Sequence, residues 1–363
     1  MFNRSSKTLV VCVAATAVWA CGTEQPGDDN AHPLANARIE IVVPFRERGG
    51  SDTWGRAIAP YLQNAIGNGA TVQVVNVLGA SGVQGGNEFA LSRRHDGLNL
   101  FVSSGSNSLP YLLGERAVRY DFKEFAGIMG SPVGGVVYAS PDLNISSLAG
   151  LCRTADLIYG GISPTGLDMV PLVAFELLGL DVQPILGYQG KGAARLAFEQ
   201  GETNIDYQTS PAFLANVQPL VDEGKAAPLF SFGVLDDDGK VIRDPVFAEI
   251  PSFAEAYEAC HGSEPSGLEW DAYRAVLTAG FAAQKGLWTH KDAPVERIEA
   301  LRAAATTVIG NPEFQAVVTD LIGGYDFYVG DEVERALELT LQIPPASREW
   351  LLNLLRTKYD VAI

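Results

Sequence analysis

Apolar and polar positions alternate along most of this chain in two distinct rhythms, one of strands and one of helices. Ile39-Val43 (IEIVV) is a short continuous apolar run, the pattern of a buried strand. A Gly-rich turn follows. Trp54, Ile58, Tyr61 and Ile66 then recur at helical spacing. Val72-Val75 predicts a second strand, Gly79-Gly86 a second glycine turn, Asn87-Arg94 a helix and Leu98-Val102 a third strand. This βαβαβ order implies a parallel sheet with crossover helices.

A second set follows. Val136-Ala139, Leu157-Tyr159, Gln183-Leu186, Asn204-Tyr207 and Leu229-Phe232 read as strands, and Pro171-Leu178 and Ala193-Glu199 as helices. Beyond them the chain reads as helix-rich, over Phe253-Ala259, Pro294-Thr307, Pro312-Leu321 and Val333-Leu341. Pro294 and Pro312 stand where a first helical turn tolerates proline. The fold class is therefore α/β in two lobes, and the C-terminal helices are expected to return to the first.

The N-terminus has a separate character. Arg4 and Lys7 precede a short apolar run, Thr8 to Ala17, that is too short to span a bilayer. Val18-Trp19-Ala20-Cys21 then resembles a lipobox, which makes Cys21 the candidate lipid anchor; plain signal cleavage is the alternative, because Trp19 is unusual there. Gly22 to Pro33 is polar and rich in Pro and Gly, as a tether is. Residues 1–20 are read as a signal peptide and 21–36 as a tether. No later apolar stretch reaches transmembrane length.

Composition narrows the function. Across 363 residues, 47% are hydrophobic and 19% charged, enough to build real cores. The net charge of −17 argues against nucleic acid and anionic lipid as partners. An anionic ligand would have to be held by local dipoles and a few cations. Cys152 and Cys260 remain after the signal and anchor cysteines. They read as two separate small hydrophobes, with pairing in an oxidising compartment as the alternative. No CxxC motif or Cys/His cluster is visible, so no metal and no cofactor is expected. His32, His95, His261 and His290 are scattered along the sequence and read as surface or turn residues. The dinucleotide, P-loop and nucleophile-elbow patterns are all missing.

The glycine turns carry the chemistry. Pro44 to Asp52 (PFRERGGSD) runs from a strand end into a helix start, where Ser51 and Asp52 can cap. Helix-start amides favour an anion. Gly79-Ala80-Ser81-Gly82 and Ser103-Ser104-Gly105-Ser106-Asn107 follow the next two strands, so all three loops should open on one sheet edge. Ordinary strand-to-helix turn chemistry explains any one of them. Three in succession point to a site.

At these loops the chain resembles the extracytoplasmic solute receptors of tripartite tricarboxylate transporters, the Bug or TctC-like proteins. The PF-x-x-G-G-x-x-D pattern with a following Arg matches Pro44-Phe45, Gly49, Asp52 and Arg56. N-x-P-G-A-G-G matches Asn76 to Gly82, and D-G-Y-T-L matches Asp96 to Leu100. Y-D-P-x-K-D-F-A-P matches Tyr120 to Gly127. P-Y-K-G-x-x-P-A matches Gly187 to Ala194, and P-x-x-A-E-A matches Pro251 to Ala256. The resemblance runs from Ala37 to nearly the C-terminus and rests on the order of these motifs.

The resemblance implies a hinged, two-lobed periplasmic-binding-protein fold of type II. Residues 37–132 with 233–363 would form lobe I, and 133–232 lobe II. It also implies a monomeric, non-enzymatic receptor that takes a small carboxylate and meets permease subunits of such a transporter. The expected site takes Phe45, Arg46, Gly49, Gly50, Ser51, Asp52, Gly79, Ser81, Gly82, Ser104 and Ser106 from one lobe. Ser163, Thr165, Tyr188, Gly190, Ala193 and Gln208 come from the other. Several positions depart from the pattern. Arg48 replaces a family glycine, and Arg46 and Glu47 replace small residues or proline. Met169 stands where many members have His, and Gln208 and Asn204 where many have Asp. Arg46 or Arg48 could clamp a distal carboxylate, although solvent-facing side chains are the favoured expectation. A receptor feeding a sensor, or an extracytoplasmic hydrolase or lyase on the same scaffold, are the rival readings.

Overall fold

A computed structural model describes residues 32–236 and 238–363. Cys21, the signal segment and most of the expected tether lie outside the described residues.

The apolar runs form the strands that their pattern predicts. β1 (Arg38–Val43), β2 (Thr71–Asn76) and β3 (Asn99–Ser103) pair in parallel, with β1 between the other two. The helices Gly50–Ile66 and Val83–Ser92 make the crossovers. β4 (Phe125–Ser131) then runs toward the second sheet, which contains β5 (Gly135–Ala139), β6 (Leu157–Gly160), β7 (Val182–Ile185), β8 (Ile205–Thr209) and β9 (Ala227–Ser231). Its order is β7-β6-β8-β5-β9, parallel at β6–β7 and β6–β8 and antiparallel around β5. A short hairpin, β10 (Val234–Leu235) with β11 (Val241–Ile242), follows.

The chain then returns to complete the first sheet. β12 (Lys285–His290) inserts between β3 and β4, antiparallel to both, and β13 (Tyr328–Val329) caps the edge at β4. The first sheet thus reads β13-β4-β12-β3-β1-β2. β4 and β12 escape the sequence reading. β4 (FAGIMGS) carries two glycines, and β12 (KGLWTH) opens on a lysine, so neither shows a clean strand signature. Both are buried throughout. Burial alone lowers the Lys285 amine to about 7.

The helices after residue 233 divide between the two sheets. Val295–Ile309 and Pro312–Ile322 pack in the core with Ile41, Val102 and Leu287 of the first sheet, and Asp331–Thr340 packs beside Trp288 on its other face. Phe253–His261, Leu268–Leu277 and Pro345–Tyr359 instead share the core of the second sheet with Tyr159, Tyr207 and Phe230. The last two of these helices are not evident in the sequence pattern. Two charged or polar faces dilute their apolar stripes.

Two expectations change. Cys152 and Cys260 are not separate hydrophobes. They form a disulfide with Cα atoms 5.9 Å apart. The helices Leu148–Leu151 and Phe253–His261 pack in one core, and that brings together cysteines 108 positions apart. The compact unit also begins at Pro33, because Leu34 is buried in the first core. Among the described residues no helix is long and apolar enough to cross a membrane.

Candidate functional site

The three glycine loops do open on one edge of the first sheet, since β1, β2 and β3 run parallel and each loop follows its strand. The first loop is held from within. Gly49 is the N-cap of Gly50–Ile66 and no side chain caps the helix, so the expected capping by Ser51 and Asp52 is not seen. The Asp52 carboxylate does other work. It accepts hydrogen bonds from the Arg48 amide (2.8 Å), from Arg56 Nε (2.9 Å) and from Asn76 Nδ2 (2.9 Å). Burial opposes its ionisation, but these donors outweigh burial and hold it below the ordinary carboxylate range. Asn76 also donates to the Phe45 carbonyl (2.9 Å), which ties the loop after β1 to the end of β2. The helix-start amides of Gly50, Ser51 and Asp52 have no earlier helical carbonyl to donate to, which leaves them for a ligand or water.

Arg48 sits at φ 64, in the left-handed region where a Cβ is strained, so a glycine is the natural occupant of that position. The Arg46 and Arg48 side chains are exposed.

The second and third loops lock together. Ser104 and Asn107 form a reciprocal capping box on the helix Gly105–Leu113. Fully buried Asn107 also donates to the Gly82 carbonyl (2.9 Å). Gly82, at φ 100, lies against the Phe45 ring, and a Cβ there would come within 2.6 Å of it. Phe45, Gly82, Asn107 and Ser104 are therefore tied into one unit, with Gly79 and Ser81 on the same loop as Gly82.

The second sheet brings its own loops to meet this surface. Ser106 Oγ accepts from the Leu167 amide (3.3 Å). Gly50 lies so close to Thr209, at the end of β8, that a Cβ would be 3.3 Å from its hydroxyl. Ser163 and Thr165 hydroxyls pair at 3.0 Å beside this junction. Behind them lies a buried charged network. The Lys191 ammonium contacts the Asp206 carboxylate, donates to the Gly160 carbonyl (2.9 Å) and stands 3.7 Å from Asp168. It also lies over the Tyr159 and Tyr207 rings. Asp168 accepts from Tyr159 and from the amides of Ile162 (2.8 Å) and Ser163 (3.2 Å), so it shapes the loop that carries Ser163 and Thr165. Burial raises Asp206 above its ordinary range despite the Lys191 charge.

Gln208 is a tie in this network. Its amide donates to the Lys191 carbonyl (3.0 Å) and to Asp206 (3.1 Å). Tyr188 packs on Gly160, while Gly190 and Ala193 start the helix Lys191–Glu199 facing open space. Met169 is buried in the second core. The sequence reading missed Lys191, Asp168, Asp206 and Asn107. Only Asn107 had a local signal, its place three residues after Ser104. A separate depression of about 470 Å³ lies between the β10–β11 hairpin and the helices Phe253–His261 and Leu268–Leu277, and none of the expected site residues line it.

Comparison with known proteins agrees with this architecture. No protein-family model matches the chain. Protein BugT of Bordetella pertussis is 26% identical over 263 residues, which cover 68% of this chain and 74% of that protein. The periplasmic binding protein BugD superposes with a TM-score of 0.68 at 18% identity, covering 87% of this chain and 97% of BugD. A Rhodopseudomonas palustris protein solved with adipate gives a TM-score of 0.67 at 19% identity, covering 87% and 96%. MatC of the same species, solved with malate, gives 0.63 at 18%, covering 84% and 99%. The chain is thus similar in sequence to BugT and shares the fold of the periplasmic binding protein BugD and these two carboxylate-bound proteins.

Proposed function

We propose that this protein is a periplasmic receptor that captures a small carboxylate between two lobes, each a sheet with the helices in its core, and hands it to permease subunits of a tripartite tricarboxylate-type transporter. One observation carries the reading. Three small-residue loops on one sheet edge meet the Ser163–Thr165 loop and the end of β8 from the other sheet, with Ser106 touching Leu167 and Gly50 touching Thr209. Helix-start amides and small hydroxyls are the donors a carboxylate needs, and they require no cationic cluster. The dicarboxylates bound to two proteins of the same fold support that ligand class. A ligand that touches both lobes favours their closure through its differential affinity. Capture needs no bond to be made or broken, so the reading is of a receptor and not an enzyme. Cys21 would tether it to the membrane.

The test is a thermal-shift screen of denatured and refolded protein against mono-, di- and tricarboxylates, with the solutions checked for ligand turnover. A true ligand at about a hundredfold over Kd adds roughly 2.7 kcal/mol of stability. If no carboxylate raises the melting temperature, or if the ligand is consumed catalytically, the reading fails.

A further inference from the structure

The opposite edge of the first sheet holds a second cluster. β12 is antiparallel to β3, so its last residue, His290, lies far from the three glycine loops. There it meets the turn that follows the helix Val83–Ser92. The His290 ring is almost fully buried and stacks between Phe89 (4.4 Å) and His95 (3.5 Å). Its Nε2 lies 3.1 Å from the Phe89 carbonyl. A carbonyl only accepts, so Nε2 carries the hydrogen and Nδ1 keeps its lone pair. His95 Nδ1 lies 2.7 Å from an oxygen of Asp292. One donor atom from each of His95, His290 and Asp292 falls within 4.8 Å of the other two.

We propose that His95, His290 and Asp292 form a binding site for a divalent transition metal of the Zn²⁺ class, separate from the carboxylate site. Two imidazoles and a carboxylate are a common three-ligand set for such an ion, with water completing the tetrahedron. A ligating histidine characteristically donates its other N–H to a carbonyl or carboxylate, as His290 does to Phe89. His95 and Asp292 are exposed side chains on turns. Shared coordination at about 2.0–2.2 Å requires the exposed His95 ring to give up its hydrogen bond to Asp292 and turn out of its stack on His290, so that both in-plane lone pairs reach one ion. The bound ion would fasten the 93–97 turn to the end of β12.

Zn²⁺ titration of the EDTA-stripped full chain by calorimetry, with Co²⁺ absorption as a second readout, tests this. One ion per chain and a rise in melting temperature are expected. His95→Ala and Asp292→Asn, both at exposed positions, should each weaken binding about 10-fold or more. Carboxylate thermal shifts should persist in both variants, which separates this proposal from the receptor reading. Zn²⁺ affinity unchanged in both variants, or no saturable binding at all, overturns it and leaves a His–Asp hydrogen-bonded pair only.

Discussion

The two halves of the candidate site solve the same problem differently. The first sheet offers turns made of glycine, serine and helix-start amides, fixed by short side-chain ties at Asp52, Asn76 and Asn107. The second sheet offers similar small loops, but sets them on a buried Lys191–Asp206–Asp168 network roofed by tyrosine rings. Two aspartates show the contrast. Asp52 is held below its ordinary pKa by its donors, and Asp206 is raised above it by burial. One half invests in turn geometry and the other in a desolvated charge cluster. The first should therefore tolerate loss of a side chain better than the second.

The largest expected effect tests that claim directly. Lys191→Met leaves Asp206, which is wholly buried, without its cation and should cost about 3–5 kcal/mol in chemical denaturation. Adding Asp206→Asn should recover much of the loss. A cost below about 1 kcal/mol for the single variant would show that water reaches the cluster, and the contrast would fall.

A smaller loss is expected from Asp52→Asn, about 1–3 kcal/mol at neutral pH. Its signature is in the acid range. Because the folded-state pKa of Asp52 is depressed, its contribution is fully present above the unfolded carboxylate value near 4 and is lost as pH falls through the folded value. The Asn variant should lack that part of the acid dependence. Asp206 has the opposite sign. Its raised pKa makes the folded state lose stability as pH rises from the unfolded value to the folded one. Parallel acid profiles for Asp52→Asn and the parent chain would contradict the role given to Asp52.

The smallest effect is at Arg48. Relief of its left-handed backbone by Arg48→Gly should outweigh the added unfolded-state entropy, for a net gain of between about 0 and 1 kcal/mol. A clear fall in melting temperature would show instead that the Arg48 side chain makes a stabilising contact.

Much of this was legible in the chain itself. The βαβαβ unit and its three loops follow from strand-length apolar runs, helical spacing and glycines at turns. Those signals are local, and the structure keeps them, except that the helix after the second loop begins at Val83, inside the stretch expected to be a turn. β4 and β12 were hidden because glycine and lysine mask strands whose burial comes from neighbours on both sides. The helix Leu268–Leu277 was hidden because its polar residues dilute the apolar pattern, although Trp270, Tyr273 and Val276 bury one face of it.

Sequence by itself determined the fold class, the edge on which the small-residue loops gather and the resemblance to the Bug-type receptors. Each of these depends on residues close together in the chain or on the order of motifs. The tertiary structure alone decided the rest. It joined Cys152 to Cys260, gave the later helices to different sheets, placed Lys191 between two aspartates, and brought His95 to Asp292 across 197 positions. Such contacts depend on which faces pack together, and short-range periodicity carries no information about that.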